Sequence, residues 1–114
     1  MNWINLETDS QLDEIRKNST DRPQVIFKHS TRCSTSAMVK GRLDRAKAPE
    51  NLDFYYLDLI RYRPVSNKIA EQFHIPHESP QVLVIKDGKC VYNESHTGIT
   101  MDDIIEESAG NWIG

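Results

Sequence analysis

The chain alternates between stretches with helical and strand-like spacing of apolar residues. "TDSQLDEIRKNS" opens with Thr8 and Gln11 at capping-box spacing and then sets Leu12 and Ile15 on one helical face, which predicts a short amphipathic helix. "PQVIFKH" follows, a β-branched and aromatic run behind Pro23 that reads as a buried strand. From Ser34 to about Ala46 the spacing turns helical, with Val39, Leu43 and Ala46 as the apolar stripe. Gly41 weakens that helix by about 1 kcal/mol relative to alanine. "NLDFYYLDL" predicts a second strand, Leu52, Phe54 and Tyr56 alternating with Asp53 and Tyr55. Pro64 suits the first turn of a helix whose buried face is Val65, Ile69 and Phe73.

"PQVLVIKDGKCVYNES" is the clearest local signal. Asp87-Gly88 joins two strands as a type I′ hairpin requires, and the unbroken apolar run Val82 to Ile85 predicts a strand buried on both faces. Thr100 caps a last helix with Met101, Ile104 and Ile105 as its core face and Gly110 as its end. The order α-β-α-β-α-β-β-α predicts an α/β fold: a mixed four-stranded sheet flanked by helices, its first strand central, with an extra N-terminal helix. No repeat or linker interrupts residues 1–114, so a single domain is expected.

Composition adds exclusions. The net charge of −3 argues against nucleic acid as a partner, because such domains carry a basic excess. No apolar run reaches the roughly 20 residues that span a bilayer, so no membrane partner is expected. "MNWINLETDSQL" lacks a basic segment followed by an apolar one, which points to a cytoplasmic location. The two cysteines, Cys33 and Cys90, lie far apart, unlike the framework of a small secreted domain.

Cys33 falls between the end of a central strand and the start of a helix. Unpaired N–H groups and the helix dipole favour negative charge at such a place, hence a thiolate over a thiol. Lys28 and Arg32 add positive charge nearby in sequence. The competing reading is a buried thiol packed as a small hydrophobe. Against it stand the neighbours His29, Ser30, Thr31, Arg32, Ser34, Thr35 and Ser36, which are poor company for a core residue. A nucleophilic Cys33 is the better account. Ser79-Pro80, just before the buried strand from Gln81, is a second and weaker marker: a trans proline at a strand start is the commoner case, and a cis X-Pro bond would make a tight strand entry.

Strand, Cys-x-x-Ser at a helix start, strand, helix, proline before a strand, then an Asp-Gly hairpin: this order resembles the thioredoxin-like superfamily over about residues 23–110. More closely, "FKHSTRCSTS" and "HESPQVLVIKDGKCVYNESHTGI" resemble the YtxJ-like family of monothiol bacilliredoxins. That resemblance implies a thioredoxin-like fold with Pro80 cis and facing Cys33. It implies an enzyme, a thiol-disulfide oxidoreductase that removes bacillithiol from S-thiolated client proteins. Bacillithiol or another low-molecular-weight thiol would be co-substrate, with no tightly bound cofactor and no metal. Cys33 and Ser36 carry over as the attacking cysteine and terminal serine. Arg32, Ser34, Thr35, Ser79, Pro80, Thr97 and Gly98 are expected to border the substrate. The family motif reads Thr-Cys-Pro-Ile-Ser, so Arg32 and Ser34 are departures, Ser34 standing where proline is usual.

With Ser36 in place of a second cysteine, an external thiol must resolve the adduct formed on Cys33. Ser36 can donate a hydrogen bond to the thiolate. Cys90 pairs opposite Ile85 through the Asp87-Gly88 turn, five residues from Pro80 and so ~16 Å from the site at ~3.3 Å per residue. A disulfide needs Cα atoms within about 7 Å, so Cys90 is expected to be structural. His29, His74, His77 and His96 form no compact four-ligand set for structural zinc. His29, close to the thiol, reads as a polar strand-end residue in preference to one that tunes the thiolate, and His74 and His77 as solvated loop residues in preference to ones that border the substrate groove. Two other readings stay open: an iron–sulfur or thiol carrier like the monothiol glutaredoxins, whose Cys-Gly-Phe-Ser motif Ser34 and Thr35 do not match, and a non-catalytic thioredoxin-like adaptor.

Overall fold

A computed structural model describes residues 1–109. Ten elements follow in chain order: β1 (Trp3–Asn5), α1 (Asp9–Asn18), β2 (Gln24–His29), α2 (Ser34–Arg45), β3 (Asp53–Asp58), α3 (Arg63–Phe73), β4 (Gln81–Lys86), β5 (Lys89–Ser95), a 3₁₀ turn (His96–Gly98) and α4 (Met101–Ser108). The proposed end of the last helix at Gly110 lies outside the described residues.

The sheet has five strands, not four, in the order β1-β3-β2-β4-β5. The additional strand is β1, three residues paired parallel to Phe54–Tyr56 at the sheet edge. It is too short to carry a period-2 signal, and its register is supplied by the partner strand. β2 is central, parallel to β3 and antiparallel to β4. Burial on both faces explains why β2 and β4 read as continuous apolar runs. One face carries Ile26, Tyr55, Leu57, Leu83 and Ile85 against α1 and α3. The other carries Val25, Phe27, Phe54, Val82 and Val84 against α2 and α4. Tyr55, expected on a polar face, is therefore buried, because β3 is covered by helices on both sides.

Local chemistry fixes the element ends. Thr8 accepts from the Gln11 N–H while the Gln11 side chain accepts from the Thr8 N–H, closing the capping box of α1. Pro64 lies in the first turn of α3. Asp87 (φ 53°) and Gly88 (φ 76°) both take the left-handed backbone of a type I′ turn. Ser19 clamps that turn, its carbonyl accepting from the Asp87 N–H at 2.9 Å and its hydroxyl from the Gly88 N–H at 2.8 Å. In α4 the inward face is Met101, Ile104 and Ser108. Ile105, expected in the core, is 37% exposed, because the buried stripe runs i, i+3, i+7 and passes it by.

Candidate active site

Three segments converge at the carboxyl end of β2. Its chain turns through Ser30–Arg32 into α2, with Cys33 at the N-cap in extended conformation (φ −112°, ψ 120°). Cys33 is half-buried and free. The Ser79-Pro80 bond is cis. Gln81 pairs with Lys28, so Pro80 falls level with His29 at the same end of the sheet. β5 contributes the third segment, since Ser95 pairs with Gln81 and the His96 N–H donates to the Pro80 carbonyl at 2.9 Å. Arg42 of α2 donates to the carbonyls of Thr97 and Ile99 at 3.0 and 2.9 Å, tying the 3₁₀ turn to the cysteine helix. His96 and Glu78 form an exposed ion-pair contact at 3.3 Å between the turn and the proline loop. Arg32, Cys33, Ser34, Thr35, Ser36, Ser79, Pro80, Thr97 and Gly98 are thus brought to one end of the sheet.

Ser36 stands differently from expectation. Its side chain is fully buried, its Oγ accepts from the Ser30 N–H at 3.0 Å, and it lies 2.7 Å from His29 Nδ1. The hydroxyl faces a histidine, and among the described residues it makes no hydrogen bond to Cys33. The turn is bound further by Cys33 N–H to the Ser30 carbonyl (3.2 Å) and Arg32 N–H to Ser30 Oγ (3.3 Å). His29 itself is buried, its ring tilted against Phe27 and Tyr56 at 5.8 and 5.5 Å. Burial lowers its pKa below the ordinary histidine value and Lys40 lowers it further, with Asp58 opposing. The balance favours the neutral imidazole.

Lys28 does not add charge beside the thiol. It is completely buried on the α1–α3 side of the sheet, where its Nζ meets Nδ1 of His77 at 3.4 Å, and Ser66 Oγ meets the same nitrogen at 3.3 Å. His77 is exposed in its loop, as expected, and its Nδ1 also ties the proline loop to β2 and α3. Next to it, the Ser79 hydroxyl and Gln81 Oε1 are buried with no hydrogen-bond partner among the described residues. No spacing rule signals these contacts, because Lys28 and His77 are 49 positions apart.

Cys90 pairs with Ile85 on edge strand β5, as the hairpin register required. Its thiol packs against the α1–α3 core and donates to the Tyr92 carbonyl at 3.3 Å. Burial pushes its pKa up to about 11, the reverse of what a reactive thiol needs. Among the described residues no group of three or more His, Cys, Asp or Glu side chains could hold a metal ion, and no helix is long and apolar enough to cross a membrane. An open hollow of about 590 Å³, lined by Met1, Arg22, Ala46, Glu50 and Phe54 among others, lies away from the thiol at the opposite end of β2 and β3.

Solved structures share this architecture. A protein described as a candidate oxidoreductase with a thioredoxin fold superposes with a TM-score of 0.80 at 26% identity, covering 91% of each chain. Thioredoxin from Fasciola hepatica matches with a TM-score of 0.71 at 18% identity, over 95% of this chain and 98% of its own. Thioredoxin from Malassezia sympodialis gives 0.71 at 13%, over 95% and 89%. The fold is therefore thioredoxin-like. The family model described as monothiol bacilliredoxin BrxC matches residues 4–104, which include the Cys33 turn, the cis-Pro80 loop and the 3₁₀ turn. The chain belongs to this monothiol bacilliredoxin family, and its general chemistry is that of a thiol oxidoreductase.

Proposed function

We propose that the protein removes a low-molecular-weight thiol, bacillithiol in the first instance, from protein mixed disulfides in the cytoplasm. One observation carries this reading. Cys33 is a half-buried free thiol at a helix N-cap, while the other cysteine, also half-buried, lies away from it on β5 across from Ile85. A site so built can accept a thiol and cannot resolve it internally.

In the first step the Cys33 thiolate attacks the small-thiol sulfur of the client disulfide. A Cys33–S–S–thiol bond forms, the client S–S bond breaks, and the client sulfur leaves with the electron pair and is protonated. A second low-molecular-weight thiol then attacks the adduct as thiolate, regenerating Cys33 and leaving as a symmetrical small-molecule disulfide. Each exchange conserves one disulfide, and the reducing equivalents come from the external thiol. Arg32, Ser34 and Thr35 on the cysteine turn, and Ser79, Pro80, Thr97 and Gly98 opposite it, border the approach to the sulfur.

The test is incubation with a bacillithiolated test protein followed by intact-mass measurement. A bacillithiol adduct on Cys33, absent in Cys33→Ala, supports the assignment. Transfer from glutathionylated but not bacillithiolated protein reassigns the thiol, and no transfer from either rejects the reading.

A further inference from the structure

The Ser36 hydroxyl is one link in a chain that runs from His29 Nδ1 through Ser36 Oγ to the Ser30 N–H, and from the Ser30 carbonyl to the Cys33 N–H. We propose that His29 is a positioning residue for Cys33: held between Phe27 and Tyr56, its imidazole fixes Ser36 and, through Ser36, the turn that presents the thiol. The inference rests on Cys33 being the attacking group. Cys-x-x-Ser sites invite a reading of the serine as a vacant resolving position. Here the serine joins the end of β2 to the start of α2.

Protonation of His29 changes where the Ser36 hydroxyl proton points. A serine oxygen has one proton and two acceptor positions, and the Ser30 amide fills one of these. When the neutral imidazole accepts at Nδ1, the hydroxyl proton is directed to His29. When the imidazole is protonated, Nδ1–H donates instead and fills the second acceptor position. The hydroxyl proton is then released toward the first turn of α2, where Cys33 is the N-cap residue one turn away. The charged and titratable groups facing His29 are Lys40 and Asp44 from α2 and Asp58 and Tyr56 from β3, so its protonation reflects both flanking elements.

The experiment uses the full chain with Cys90→Ala, so that Cys33 is the one thiol. Alkylation of Cys33 by iodoacetamide is timed in this background and in His29→Phe, His29→Asn, Ser36→Ala and the His29→Phe/Ser36→Ala double variant, with thermal unfolding confirming the fold. His29→Phe retains the ring packing without the nitrogen. His29→Asn retains a hydrogen-bonding amide near Nδ1. Expected is a roughly tenfold slowing in His29→Phe and Ser36→Ala, the scale of one hydrogen bond to a charged group, with no further loss in the double variant and substantial recovery in His29→Asn. The imidazole titration, followed by NMR, should also move when Cys33 is alkylated, and stay put in Ser36→Ala. Folded His29→Phe reacting at the parent rate, or slowing that multiplies in the double variant, overturns the proposal. If His29→Phe does not fold, the NMR coupling in the parent decides: its absence is equally fatal. The readout needs no bacillithiol, so failure of thiol transfer with this pattern intact condemns only the substrate assignment.

Discussion

The Lys28 ammonium ends 3.4 Å from His77 Nδ1, and among the described residues it has no carboxylate partner. A fully buried cation so placed resists its charge: burial first, and Arg63 second, lower its pKa from 10.5 to about 8. Below pH 8 the folded protein bears the full cost of holding the proton, about 3 kcal/mol on this shift. Between pH 8 and 10.5 the unfolded chain binds more protons at this group than the folded one, so this contribution to stability improves as pH rises.

Lys28→Met should therefore be more stable than the parent at pH 7, by about 2 kcal/mol. Urea unfolding at pH 7, 8, 9 and 10 should show the difference shrinking from pH 8 upward. His77 gains protons only at lower pH, since burial and Lys28 hold it below the ordinary histidine range, so it does not disturb that window. A difference that stays constant from pH 7 to 10 would refute the buried-charge account.

Cys90 gives the opposite pattern to a reactive thiol. With its pKa near 11, about one molecule in a thousand carries the Cys90 thiolate at pH 8. Alkylation of the native protein at pH 8 should label Cys33 and spare Cys90, as peptide mapping would reveal. Cys90→Ala should leave thiol transfer unchanged, whereas Cys33→Ala should abolish it. Appreciable Cys90 labelling without unfolding would mean that β5 opens far more readily than its burial suggests.

The α1 capping box offers a stability test free of the active site. Thr8 and Gln11 exchange side-chain to backbone hydrogen bonds at the helix start. Thr8→Ala should cost about 1 kcal/mol in denaturant unfolding and leave Cys33 alkylation unaffected. A cost below a few tenths would mean that water replaces the cap.

What the sequence disclosed was what local chemistry controls. Asp87-Gly88 encodes its turn by backbone preference, and that turn alone placed Cys90 opposite Ile85. The helical stripe Val39, Leu43 and the polar run around Cys33 located the thiol at a helix start. What stayed hidden was long-range or too short to have a period. β1 is three residues whose pairing comes from β3. Lys28 alternates correctly along β2, yet only the packing of α3 and the proline loop shows that its amine is enclosed. His29 and Ser36 are seven positions apart, and a strand end followed by a turn gives no spacing rule that predicts their contact. The sequence placed Ser36 beside the cysteine; the fold turned its hydroxyl toward the histidine.

Ser34 is the position where the chain departs from the Cys-Pro motif usual in its family, and the backbone is already arranged for proline. Cys33 has φ −112° and ψ 120°, the extended region that a residue before proline must adopt. Ser34 is the first residue of α2, where an N–H has no acceptor within the helix, and its own N–H makes no hydrogen bond among the described residues. Its exposed side chain leaves room for the ring. Ser34→Pro should accordingly raise stability by about 0.4–1 kcal/mol, by restricting the unfolded chain, while the Cys33 turn keeps its form. Paired denaturant unfolding and iodoacetamide kinetics check both halves. Lower stability would show that the Ser34 amide is engaged in solution, and unchanged stability with altered Cys33 kinetics would show that the ring reaches the sulfur rather than the unfolded state.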